Sequence, residues 1–121
     1  MMHKSTSVLT VTDITASLAY YRDKLGFDLA FEYGKPTFYA GLCSGEVTLH
    51  LISTSTAPRQ PGQGAVSIFV DNVDALHANL VKRGAKVIKA PANYDYGMRD
   101  FDVADLDGNT IVFGMESKKE S

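Results

Sequence analysis

The feature that most constrains this chain is an internal repeat. Val11-Thr-Asp-Ile14 and Val70-Asp-Asn-Val73 head two segments with one order of elements. In each, a strand meets a polar capping residue, a helix with an apolar stripe ends at a glycine, and three further strands follow. The first unit reads as a strand over 7–12, a helix capped by Asp13 with Ile14, Leu18, Tyr21 and Leu25 on one face, and a stop at Gly26. Strands over 27–33, 37–42 and 47–53 come next, joined by the turn-forming Gly34-Lys35-Pro36 and Cys43-Ser44-Gly45-Glu46. The second unit has a strand over 65–70, a cap at Asp71 or Asn72, a helix with Val73, Leu76 and Leu80 inward, and Gly84. A short strand over 86–89, a loop over 91–96 and a hairpin complete it. The hairpin closes on Asp105-Leu106-Asp107-Gly108-Asn109, with Phe101, Val103, Ile111 and Phe113 on its apolar side.

The pattern predicts an α+β fold of two βαβββ modules, about 5–54 and 64–115, joined by an exposed linker at 54–64. Each half is only about 55 residues, too small to bury a core comfortably alone, so the two are expected to share one domain over 1–121.

Composition removes several function classes. A net charge of −2 and a pI near 5.8 leave no electrostatic footprint for nucleic acid or an anionic membrane. No apolar run has the length of a membrane span, and no secretory h-region follows the first residues. The single cysteine, Cys43, reads as a small apolar residue near a strand end. With no internal bridge to form, the expected compartment is reducing and cytoplasmic. No P-loop, dinucleotide fingerprint, nucleophile elbow or His-Glu-x-x-His motif is present. Lys82, Arg83 and the run Lys118-Lys119-Glu120 read as solvated charge.

Strand parity sorts side chains onto two faces. Leu9, Val11, Val66, Ile68, Leu49 and Leu51 suit the helix-covered side. The opposite side carries Thr6, Val8, Thr10, Thr48, His50, Ala65, Ser67 and Phe69, and the turn at 43–46 brings Tyr39 near His50. Small and polar residues with a few aromatics suit a trough that holds water or a ligand.

The run Val11-Thr-Asp13, Ser17-Leu-Ala-Tyr-Tyr21 and Leu25-Gly-Phe27 resembles the opening of the vicinal oxygen chelate superfamily, which includes glyoxalase I, extradiol dioxygenases and bleomycin resistance proteins. Asp105-Leu-Asp-Gly-Asn109 stands where that family shows Asp-Pro-Asp-Gly, with Leu106 in place of proline. Gly97-Met-Arg99 followed by Phe101 resembles the antibiotic-resistance branch. The resemblance implies a cupped mixed sheet with helices on its convex face, and a homodimer.

It also implies four metal-ligand positions in the metal-dependent members, which fall here on Thr6, His50, Ala65 and Val112. Only His50 suits a divalent ion, so no metal and no cofactor are expected. Asp102 could add a carboxylate across the hairpin from Val112, and two ligands fall short of a triad. His3 lies in the N-terminal tail, and His77 is expected at the surface of the second helix.

The expected ligand-binding residues are Tyr39, His50, Phe69, Tyr94, Tyr96, Met98 and Asp102. His50 reads either as a ligand anchor or general base, or as a histidine bonded to Tyr39 or water. Asp102 is a cation-holding group or a solvated charge. Tyr94, Tyr96 and Met98 shape a pocket mouth or pack a loop or dimer contact, and Phe69 is a stacking platform or a plug between the halves. Arg99 is expected to bond within its own chain.

The leading expectation is a metal-free protein that sequesters an aromatic antibiotic-like small molecule and does not transform it. The alternatives are a metal-independent isomerase or lyase with His50 as acid/base, and a pseudo-enzyme acting as an interaction module. The lack of tryptophan and the weak acidity leave another flat aromatic compound as open as bleomycin itself.

Overall fold

The computed structural model describes residues 1–57 and 59–117. The charged run at 118–120 lies outside them. The first module comprises β1 (Ser7–Val11), α1 (Ile14–Asp23), β2 (Asp28–Tyr33), β3 (Tyr39–Ser44) and β4 (Val47–Ser53). The second comprises β5 (Ala65–Phe69), α2 (Val73–Arg83), β6 (Lys86–Asn93), β7 (Met98–Ala104) and β8 (Thr110–Glu116). Each forms a four-stranded mixed sheet, ordered β1-β4-β3-β2 and β5-β8-β7-β6, with the outer strand of the βαβ crossover parallel to its neighbour. This is the expected α+β arrangement of two βαβββ units.

Both helices start where the polar residue before them accepts from a free N–H of the first turn. Asp13 accepts from the Ala16 amide at 3.0 Å, and Asn72 from the Ala75 amide at 3.0 Å. The second helix ends on Gly84 in the left-handed region, as expected. The first ends earlier, with Lys24 as its cap, and Gly26 serves the turn beyond.

One apolar core runs through both modules. It joins Leu9, Val11, Tyr21, Phe27, Leu49 and Leu51 to Ile68, Val73, Leu80, Phe101, Ile111 and Phe113. Each such side chain contributes about 1.5–3 kcal/mol on burial. Because the helix-covered sides of the two sheets share this core, their opposite faces turn outward, one per module.

A polar clasp locks the modules. The Asp105 carboxylate accepts from the Tyr21 hydroxyl at 2.8 Å, from the Asn109 side-chain amide at 2.9 Å and from the backbone amides of Asp107 and Asn109. Asn109, fully buried, also donates to the Thr10 carbonyl and accepts from the Gly64 amide. Tyr20 donates to the Ala104 carbonyl at 2.7 Å, and Asp107 accepts from the Thr12 hydroxyl at 2.6 Å. A buried polar group satisfied this fully orders its neighbours at little desolvation cost.

Three expectations are corrected. The strand expected over 86–89 continues through Pro91 to Asn93, because Pro91 falls in an irregular stretch between Lys89 and Ala92 on an edge strand, where no ladder N–H is needed. The loop shrinks to the turn after Asn93, closed by the Gly97 amide on the Tyr94 carbonyl at 3.0 Å. His77 is not a surface residue: it is half-buried, edge-on to Phe101 at 5.2 Å.

The segment at 54–64 is fastened at both ends. The Thr54 amide bonds to the Val11 carbonyl, the Gly62 amide to the Thr10 carbonyl, and the Thr110 amide to the Gly64 carbonyl. Gly62 has φ +81°, and a Cβ there would overlap the Asp107 carbonyl, so this contact needs glycine.

Candidate functional site

The two outward faces carry the candidate chemistry. On the first, register places Val8, His50, Gly41 and Phe31 in one row across β1, β4, β3 and β2. The next row holds Thr10, Ile52, Tyr39 and Tyr33. His50 and Tyr39 are diagonal neighbours, and the Tyr39 hydroxyl lies 2.8 Å from His50 Nδ1, the contact that parity predicted.

Phe31, not among the expected site residues, completes this cluster. Its ring stacks on Tyr39 at 6.2 Å with 17° between planes, and meets His50 edge-on at 5.2 Å. It reaches them by lying across Gly41: a Cβ there would overlap the ring. Glycine in the middle of the row is therefore what permits an aromatic platform. Phe31 and Tyr33 alternate along β2 on this face and remain 42% and 65% exposed, while the irregularity between Leu29 and Phe31 sets Leu29 opposite the core residue Leu42. That alternation was visible in the sequence as a sign of the platform.

The equivalent rows of the second face are Ser67–Val112–Asp102–Lys89 and Phe69–Gly114–Asp100–Ala92. Lys89 Nζ lies 2.9 Å from Asp100 Oδ1, 3.6 Å from Asp102 Oδ1 and 4.4 Å from the centroid of the Tyr94 ring. Contact with Tyr94, followed by the Asp100 hydrogen bond and the pull of both carboxylates, drives the Lys89 pKa upward, so the side chain stays cationic. Tyr96 stacks on Tyr94 at 5.4 Å, nearly parallel, and donates to Asp100 Oδ2 at 3.0 Å.

Asp100 is thus buried with both oxygens engaged. Asp102 is not: its Oδ1 is buried and, among the described residues, has no hydrogen-bond partner. At 3.6 Å the lysine attracts it without bonding. Strand parity does not reveal Lys89, because the irregularity between Val87 and Lys89 turns it to the face of Asp102, whereas strict alternation would set it with Val87. Asp100 shares the face of Asp102 by parity, and only its pairing with Lys89 marks it.

The expected site residues therefore fall into separate groups. Tyr39 and His50 meet on the first sheet. Tyr94, Tyr96 and Asp102 gather around Lys89 on the second, with Met98 on the same face, its Cε close to Gly114. Phe69, on the edge strand β5, stands apart and 73% exposed at the groove between the modules, so it does not plug the gap. Arg99 pairs with Asp74 at 2.7 Å, as expected of a bond within the chain. His50 and Asp102 lie on different sheets, and among the described residues no hydrogen bond or ion pair joins them.

The donor set does not fit the metal of the metal-dependent relatives. Of the four corresponding positions, Ala65 and Val112 offer no lone pair, the Thr6 hydroxyl bonds to the Thr48 hydroxyl at 2.7 Å, and His50 Nδ1 is engaged by Tyr39. Among the described residues, no group of three or more His, Cys, Asp or Glu side chains is placed to hold an ion. No described helix is long and apolar enough to cross a membrane.

Comparison with known proteins bears on this arrangement. TnmS3, an antibiotic binding protein from Streptomyces sp., is 27% identical with a TM-score of 0.82, over 97% of this chain and 98% of that one. The bleomycin-binding protein of bleomycin-producing Streptomyces verticillus, solved with copper(II)-bleomycin, is 24% identical with a TM-score of 0.79, over 98% of each chain. A superfamily member from Sphaerobacter thermophilus shares the fold at 22% identity and a TM-score of 0.82, over 96% of this chain and 98% of that one. No curated protein matches significantly. The family model described as Glyoxalase/Bleomycin resistance protein/Dioxygenase superfamily matches residues 5–113, a span that holds the clasp and both sheets up to the middle of β8. With this match over nearly its whole length, the chain belongs to the glyoxalase/bleomycin resistance protein/dioxygenase superfamily.

Proposed function

We propose that this protein captures a flat aromatic, antibiotic-like small molecule and releases it unchanged. The observation that carries the reading is the exposed aromatic row of the first sheet, with Phe31 laid over Gly41 against Tyr39 and His50. Rings held this rigidly offer stacking area with little conformational entropy left to lose. The second face supplies what stacking lacks: an incompletely paired carboxylate at Asp102 and a second aromatic pair, Tyr94 and Tyr96.

The two faces turn outward on separate modules, so a homodimer that sets the first face of one copy against the second face of the other would give both to one ligand. Kinship to an antibiotic binding protein at 27% identity supports the same reading. The donor set on these faces favours capture without a metal, and the single thiol suits a reducing, cytoplasmic setting.

Thermal-shift screening against planar aromatic antibiotics tests the proposal. A binder should raise the melting temperature in proportion to the logarithm of its concentration and be recovered chemically intact. The Tyr39–His50 hydrogen bond favours one second reading, an acid–base isomerase or lyase. Conversion of the compound, abolished by His50→Ala with binding retained, would establish that reading and end the first.

A further inference from the structure

The segment between the modules passes over the first outward face and carries one charge there. Val8, Thr10 and Arg59 line two adjoining hollows, one of about 380 Å³ continued by Gln60, Gln63 and Gly64, the other of about 290 Å³ continued by Ile52 and Ala57. Their floor is contiguous with the aromatic row, since Val8 is the register partner of His50, and Ile52 that of Tyr39.

The segment is a fixed wall rather than a tether. The Ala57 amide is bonded to the Ser53 carbonyl before Arg59, and the Gly62 and Gly64 amides are bonded after it. The four ion pairs of the described residues, Arg22–Asp23, Lys89 with Asp100 and with Asp102, and Arg99–Asp74, leave Arg59 out. Arg59, lining hollows whose floor adjoins the aromatic row through Val8 and Ile52, matches a planar ligand bearing an anionic oxygen.

We infer that Arg59 is a specificity residue, reading a carboxylate, phenolate or enolate on a flat aromatic ligand whose ring lies toward Tyr39 and His50. This rests on the aromatic-face reading above. The test is equilibrium binding of the full chain to anthraquinone-2-carboxylate and to its neutral carboxamide, which share a shape and differ in charge.

The carboxylate should bind about tenfold more tightly, with an advantage that shrinks at high salt. Arg59→Gln should weaken the carboxylate far more than the carboxamide and bring their ratio near one, while Arg59→Lys keeps part of the preference. Equal binding of the two probes, or a preference that survives in Arg59→Gln, overturns the role of Arg59 and leaves the aromatic face standing. Failure of both probes to bind overturns the aromatic-face reading, and this inference with it.

Discussion

The row Val8–His50–Gly41–Phe31 of the first sheet and the row Ser67–Val112–Asp102–Lys89 of the second occupy equivalent places in the repeat. The backbone pairing is the same, and the chemistry is opposite. In the first, a glycine lets a ring lie down on the sheet. In the second, that glycine's place is taken by an aspartate, and the ring's place by a lysine. One module thus presents stacking surface and the other presents charge. Among the described residues neither row gathers a set of donors for an ion, and under the proposed function the repeat would serve recognition by shape on one side and by charge on the other.

The largest effect should come from breaking the frame that holds both rows. Asp105→Ala strips the acceptor from Tyr21 and Asn109 together and should cost about 3–5 kcal/mol in urea unfolding. The first row is tested next by Gly41→Ala, which forces Phe31 off the sheet. The edge strand gives somewhat, so a loss of about 1–3 kcal/mol is expected, together with loss of aromatic-probe binding in fluorescence titration. Gly114→Ala in the second sheet is the control. There an added Cβ would meet Met98 Cε at 3.2 Å and Asp100 Cβ at 3.4 Å, and the flexible methionine should yield at a cost below about 1 kcal/mol.

The clasp also has an alkaline signature. Burial, with the Asp105 charge beside it, raises the Tyr21 pKa, and burial raises that of Tyr20. The folded state therefore keeps protons that the unfolded state releases above about pH 10, and stability falls as pH rises. Chemical denaturation from pH 9 to 11 should show this decline, by up to about 1.4 kcal/mol per pH unit for one such group, and Tyr21→Phe should flatten it. The smallest effect is expected in the charged row. Asp102→Asn removes a carboxylate whose buried oxygen has no hydrogen bond to lose, so the melting temperature should move little, equivalent to less than about 1 kcal/mol.

Much of this was legible before any coordinates. The repeat, the cap at Asp13, a second cap at Asp71 or Asn72, and the sorting of Leu49 and Leu51 from His50 follow from period and turn chemistry, because those signals are local. The Tyr39–His50 contact followed from the shared face, although the turn is tighter than 43–46: Ser44 pairs with Val47, so Gly41 stands opposite His50 and Tyr39 meets it diagonally.

What escaped depends on the register and irregularities of paired strands. Pro91 reads as a break, yet on an irregular edge it ends nothing, and the irregularity before it turns Lys89 toward Asp100 and Asp102 against strict alternation. Phe31 was visible as one of three alternating apolar residues. Its role depends on Gly41, its register partner on the neighbouring strand β3. Arg59 sits in a stretch whose composition reads only as spacer, and apart from the Asn109 side chain that accepts from the Gly64 amide its anchors are backbone groups that no residue type announces.

Chemical-shift mapping of the aromatic and histidine side chains, during titration with anthraquinone-2-carboxamide, tests the central claim most directly. The account predicts the largest shifts at Phe31, Tyr39 and His50, with smaller ones at Tyr94 and Tyr96. Shifts confined to the groove of Leu25, Phe27 and Phe113 on the helix-covered side would contradict it.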